Sequence, residues 1–196
     1  MKIDTTTGLL DVARQVECPN CDDRPSDDDI DLIVVHGISL PPGEYGGPWI
    51  DALFTNSLDP SEHTYFKEIH QLEVSSHLLI RRTGEIVQYV PFHKRAWHAG
   101  QSEFENRQRC NDFSIGIELE GDDEQPYEDS QYEQLANVIL TICDSYPRIT
   151  TDRVTGHSDI APGRKTDPGP AFDWPRLRQL IGSRNNGGNN GKNKSV

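Results

Sequence analysis

The chain has 196 residues, 34% hydrophobic and 26% charged, with a net charge of −13, enough for one domain with a real core and cramped for two. No run approaches the roughly 18–20 consecutive apolar residues that cross a bilayer, so no membrane partner is expected. The acidic balance also argues against a general nucleic-acid binder, because phosphate affinity comes mainly from clustered Lys and Arg.

In chain order, MKIDTTTGLLDVARQVECPN carries Asp4 and Asp11 and lacks an apolar run of signal-peptide length, which points to a cytoplasmic protein. Cys18 and Cys21 form a CxxC, a pattern used for metal binding or redox chemistry. A structural zinc needs four ligands and no second CxxC or close His pair follows, so two thiols in a surface loop is the simpler reading. In a reducing compartment no disulfide is expected. The acidic run DDRPSDDDID, Asp22 to Asp31, resists burial and reads as a loop, so residues 1–30 are taken as an N-terminal extension.

LIVVH, Leu32 to His36, has the continuous apolar character of a strand buried on both faces. A Pro- and Gly-rich loop follows (residues 39–48), and a helix is expected from Asp59-Pro60-Ser61 to about Gln71. SSHLLIRRTGEIVQYV, Ser75 to Val90, reads as a hairpin turning at Thr83-Gly84. Between Ile80 and Cys110 six bases face three acids, which suits a small anionic ligand or a solvated face equally. In Phe113 to Gly121, Ile115, Ile117 and Leu119 alternate with Gly116, Glu118 and Glu120, placing two glutamates on one face of a strand. Leu135, Val138, Ile139 and Ile142 recur at helical spacing between Ser130 and Ser145, and Pro147 stops that helix. A last short helix follows Asp173, with Pro175 in its first turn. Residues 182–196 hold Arg184, Lys192 and Lys194 and no acid, so the rest of the chain carries −16; this Asn/Gly-rich tail is expected to be unstructured. The whole is an α/β chain, with a central mixed β-sheet flanked by α-helices spanning residues 31–181.

Seven histidines are present. His63 and His70 read as surface residues of the expected helix, His77 as a packed strand residue, and His93 as part of a polar loop. His36 stands apart because it ends a buried strand, where side chains face a cleft. GHSDIAPGRKTDPGP, Gly156 to Pro170, puts His157 and Asp167 ten residues apart in a loop stiffened by Gly and Pro. Two imidazoles and a carboxylate form a three-ligand zinc set that leaves the fourth position open for water. Spacing by itself supports a structural His and Asp equally well.

Four blocks carry a resemblance: VVHGISLPPGEYGGPWI, SSHLLIRRTGEIVQYVPFHKRAWHAGQSEF, RCNDFSIGIELEG and TGHSDIAPGRKTDPGPAFDW. In this order they resemble the AmpD-type N-acetylmuramyl-L-alanine amidases, part of a zinc amidase family that includes phage lysozyme-type amidases and peptidoglycan-recognition proteins. The resemblance runs from about Asp31 to Ile181. It implies Zn2+ held by His36, His157 and Asp167 in a cleft at the sheet edge, with Glu118 and Lys165 as catalytic groups. It also implies substrate contacts at Trp97, His98 and Arg109, and a tyrosine near the active site at Tyr65. Periodicity does not separate Glu118 from Glu120; the family match selects Glu118. The implied substrate is a muropeptide, most specifically a 1,6-anhydro-N-acetylmuramyl peptide met in cytoplasmic recycling by a monomeric enzyme. Alternatives are an amidase of intact peptidoglycan and a non-catalytic recognition module. Gly37 and Glu73 stand where relatives usually carry Asn and Arg, which bears on peptide preference.

Overall fold

The computed structural model describes residues 1–26 and 29–189; part of the acidic loop and residues 190–196 of the tail lie outside the described residues. A six-stranded sheet runs in the order Val154–Gly156, Leu32–Ile38, Ser114–Glu120, Leu78–Ile80, Ile86–Gln88 and Arg14–Gln15. Neighbours are parallel except in the Leu78–Ile80/Ile86–Gln88 hairpin, whose turn passes through Gly84 at φ +85°. Positive φ there is a glycine conformation, as the Thr83-Gly84 turn requires.

The two faces of the central strands bury different things. Ile33, Val35, Ile115, Ile117 and Leu119 pack against Leu135, Val138, Ile139 and Ile142 of the Asp129–Ser145 helix and Leu177 and Ile181 of the last helix. On the opposite face Leu32 and Val34 meet Ala99, Cys110, Phe113 and Ile160. Both faces are therefore covered, which is why LIVVH reads as an unbroken apolar run. A further cluster joins Leu79, Val87 and Tyr89 to Ile50, Leu53 and Phe54 of the Trp49–Phe54 helix.

Three sequence expectations need correction. The helix foreseen from Asp59 to Gln71 shrinks to one turn, Phe66–Ile69. Asp59 Oδ1 accepts from Ser61 N at 2.8 Å and His63 Nδ1 from Tyr65 N at 3.1 Å, local bonds that compete with the helical ladder. The N-terminal segment is built into the core rather than appended to it. Leu10, Cys18 and Ile30 are buried, Arg14–Gln15 edges the main sheet, and Cys21–Asp23 pairs with Lys94–Ala96. Cys18 Sγ donates to Phe54 O at 2.8 Å, and burial pushes its thiol up to about 11, so it is a packed thiol. Finally, the last helix runs from Trp174 to Asn189, past the Ile181 limit. Arg184 Nη1 anchors it by donating to Glu133 O and Asn137 Oδ1, both at 2.8 Å.

Candidate metal centre and cleft

Register performs the first step of assembly. His36 pairs with Glu118 across the parallel ladder, and Gly156 pairs with Val35. Paired residues project to the same side of a sheet, so His36 and Glu118 emerge together on the face away from the two long helices. His157 opens the helical turn His157–Ile160 directly after Gly156 and arrives level with His36. The loop that follows brings Asp167 back, where its carbonyl accepts from Ser158 N at 2.9 Å. The site thus lies at the carboxyl ends of parallel strands, where an α/β sheet opens its crevice.

His36 Nδ1 lies 2.9 Å from His157 Nδ1 and 3.2 Å from Asp167 Oδ2, and His157 Nδ1 lies 3.0 Å from the same oxygen. Among the described residues this is the one group of three or more His, Cys, Asp or Glu side chains with metal-ligand geometry. His157 Nε2 points away, 3.2 Å from Ala99 O. A carbonyl only accepts, so the His157 proton sits on Nε2 and Nδ1 presents a lone pair inward. Lone pairs and a carboxylate converging in a buried space repel unless a cation lies among them. The donor set, two imidazoles and one carboxylate, fits zinc with a fourth position open.

The electrostatics favour the ligand forms. Burial pushes His36 down to about 4. Burial also acts to raise Asp167, but the two imidazoles beside it, His157 and His36, prevail and hold it far below the usual carboxylate range. Near neutral pH one is an uncharged imidazole and the other an anion, the states that bind metal.

Glu118 Oε1 lies 4.0 Å from His36 Nδ1, while its Oε2 is buried without a partner. Burial, then the Asp167 charge, raises its pKa well above the usual value, and Lys165 pulls it back. Glu120, two residues along the same face, differs in kind. Its Oε1 accepts from Gly46 N at 2.7 Å and Arg81 Nη1 at 3.2 Å, and its Oε2 from Arg82 N at 3.2 Å. Glu120 is occupied in holding the 39–48 loop; Glu118 has the free oxygen beside the donor set.

A cleft of about 630 Å³ opens over this group. Lys165, Tyr65, Trp97 and His98 line it with His36, Glu118, His157 and Asp167, and Lys165 is exposed there, not ion-paired with Glu118. Arg109 is not brought into this lining. Its side chain is 71% exposed, with Nε 3.2 Å from Asp112 Oδ2, beside a neighbouring cavity of about 370 Å³. Arg164 borders both spaces, its Nη2 donating to Ala99 O at 2.6 Å and Gln101 O at 2.7 Å. Gly37 lines the cleft, and a Cβ there would stand 2.3 Å from the Tyr127 hydroxyl. Glu73 is exposed, outside the lining, although Leu72 and Val74 belong to it.

Sequence reasoning missed two supports of the ligands. Tyr127 Oη donates to Pro168 O at 2.9 Å, bracing the residue after Asp167. Asn111 Oδ1 accepts from His98 N at 3.1 Å and Ala99 N at 2.7 Å, fixing the turn that carries the His157 acceptor. Neither residue belongs to a pattern that spacing could expose.

A buried two-His, one-carboxylate donor set beside an unpartnered glutamate, at the mouth of a mixed α/β sheet, has the layout of a metallohydrolase site. Comparison with known proteins narrows the class. Residues 26–170 match the family model described as N-acetylmuramoyl-L-alanine amidase, and the chain belongs to this family. It is 64% identical over 174 residues to the 1,6-anhydro-N-acetylmuramyl-L-alanine amidase AmpD of Salmonella typhimurium (strain SL1344), covering 89% of this chain and 92% of that protein. A crystal structure of a Se-Met AmpD derivative superposes with a TM-score of 0.89 at 60% identity, over 92% of this chain and 99% of that one. The Escherichia coli amidase AmiD, solved with anhydro-N-acetylmuramic acid-L-Ala-D-gamma-Glu-L-Lys, aligns at a TM-score of 0.57 and 32% identity, over 78% of this chain and 57% of that one. The mixed α/β architecture expected from the sequence is the one these neighbours share.

Proposed function

We propose that this chain is a zinc-dependent amidase that cleaves the amide between the lactyl group of 1,6-anhydro-N-acetylmuramic acid and L-alanine, recycling muropeptides in the cytoplasm as a monomer. One observation carries the reading: the lone pairs of His36, His157 and Asp167 converge beside a buried Glu118 oxygen that has no other partner. High identity to a relative named for this substrate supports the anhydro-muropeptide over the intact wall. Among the described residues no helix is long and apolar enough to cross a membrane.

Bound by these three residues, zinc supplies a water acidified to near neutral pKa and a Lewis acid for the carbonyl. Glu118 takes the proton of the attacking water and hands it to the departing amine, the exchange a carboxylate of raised pKa is suited to. Lys165, on the open side of the cleft, stabilises the negative charge that develops on the carbonyl oxygen. Trp97 and Tyr65 give the cleft an amphipathic wall for the sugar and the first peptide residues. Arg109, at the neighbouring cavity, is the partner proposed for the later peptide carboxylates; a guanidinium can hold one through two parallel bonds.

The test is incubation with anhydro-muropeptides and with intact peptidoglycan, followed by product mass analysis. Peptides starting with free L-alanine, released from the first substrate only, are expected. Release from intact wall at equal rate would make the chain a wall amidase, and binding without release a recognition module.

A further inference from the structure

We propose that His98 is a positioning residue that sets the proton and orientation of His36, an inference that rests on the metal reading above. The family resemblance implies a substrate contact for His98, yet both of its ring nitrogens are already engaged. Nδ1 lies 2.9 Å from His36 Nε2, and Nε2 lies 3.2 Å from Ser114 Oγ. No polar ring atom is left over for a ligand.

The direction of this chain of bonds follows from its far end. Ser114 Oγ is 2.6 Å from Cys110 O, and a carbonyl only accepts, so the Ser114 proton points there. Ser114 Oγ then accepts from His98 Nε2, which therefore carries the His98 proton. His98 Nδ1 is left with a lone pair and accepts from His36 Nε2. His36 Nδ1 is consequently bare and faces His157 and Asp167. Two groups, Ser114 and His98, thus transmit one backbone carbonyl's polarity to a metal ligand, and His98 is the link that touches the ligand.

The fold reserves space for this link. A Cβ at Gly116 would lie 2.5 Å from the His98 ring, so the ring occupies a slot that the strand opens by having glycine there. The rings of His36 and His98 meet edge to face, at 89° and 5.0 Å. Asn111 pins the backbone at His98 and at Ala99, whose carbonyl is the corresponding acceptor for His157. The two imidazole ligands are therefore oriented by adjacent residues of one turn, His36 by a side chain and His157 by the main chain. Partners of this kind fix ligand tautomers and change metal affinity by about 10–100-fold when removed.

The experiment measures zinc affinity by chelator competition in the full chain carrying His98→Leu, His98→Asn or Ser114→Ala. His98→Leu fills the slot without an acceptor and is expected to weaken zinc about 10–100-fold. His98→Asn places a carbonyl oxygen where Nδ1 was and should recover most of that loss, a rescue that mere packing does not predict. Ser114→Ala leaves the ring in place and should weaken zinc several-fold, so it carries the test if His98→Leu does not fold. Nitrogen NMR of zinc-loaded wild-type protein should find the His98 proton on Nε2. Wild-type zinc affinity in both His98→Leu and Ser114→Ala, or a His98 proton on Nδ1, overturns the inference while leaving the metal site standing. A wild-type chain that binds no zinc overturns both.

Discussion

Replacing Glu118 with glutamine keeps the side chain's size and removes its capacity to take a proton. Since Glu118 Oε2 has no protein partner, the exchange breaks no hydrogen bond of the fold. The expected cost falls on kcat, on the order of 10²–10⁴, or about 3–5 kcal/mol of transition-state stabilisation, with zinc retained. Stability should move the other way in metal-free protein. Burial raises the Glu118 pKa in the folded state, so the native wild type binds this proton more tightly than the unfolded chain does. The stability that comes with the proton is complete below the unfolded value of about 4.5 and drains away as pH rises through the folded one. Glutamine has no charge to bury, so metal-free Glu118→Gln should melt above wild type at pH 7, and the gap should close as the pH falls toward 4.5. Glu120→Gln supplies the contrast. It takes one of three carboxylate partners from buried Arg81, which keeps Asp51 and Glu85, so the cost is that of a weakened charged hydrogen bond, about 1–3 kcal/mol. Its signature is a lowered Tm, with kcat largely preserved in the folded fraction. Steady-state kinetics, zinc content and thermal melts of both variants form the assay. Near-normal kcat in Glu118→Gln, with the catalytic loss in Glu120→Gln, would refute the assignment.

Removal of zinc by a chelator should abolish turnover and added zinc should restore it, while His157→Ala should lose metal and activity together; full turnover by verified metal-free protein is the contrary result. Lys165→Ala should lower kcat about 10²–10³-fold through lost oxyanion stabilisation, measured at saturating substrate. Arg109→Ala should raise KM for peptides with later carboxylates and have little effect on a substrate carrying L-alanine only; an equal rise for both would mean Arg109 does not act as a carboxylate clamp. A chain ending at Gly182 should keep its kcat, since Ile181 stays in the core, and lose the two Arg184 bonds to the neighbouring helix. At about 0.5–1.5 kcal/mol per bond this predicts a Tm drop of a few degrees, read by calorimetry.

Much was already legible in the chain. The both-faces-buried strand ending at His36, the hairpin turning at Gly84 and the long helix before Pro147 all follow from periodicity, because side-chain spacing reports which face of an element meets the core. Four sequence blocks placed the donors His36, His157 and Asp167 within one family pattern, and in the fold they converge. What the sequence left open depends on what each face meets. Glu118 and Glu120 share a face and a residue type; only the arrival of Gly46, Arg81 and Arg82 at one of them leaves the other free for chemistry. Arg109 stands in the basic stretch, yet its position outside the main cleft was invisible until the chain was folded. The N-terminal strands are two or three residues long, too short to show a period, and long-range pairing with the sheet holds them in place. The resemblance implies a substrate contact at His98, and a sequence lists donors and acceptors without saying which the fold engages. Folding spends both nitrogens of His98 on His36 and Ser114, which lie 62 and 16 residues away along the chain.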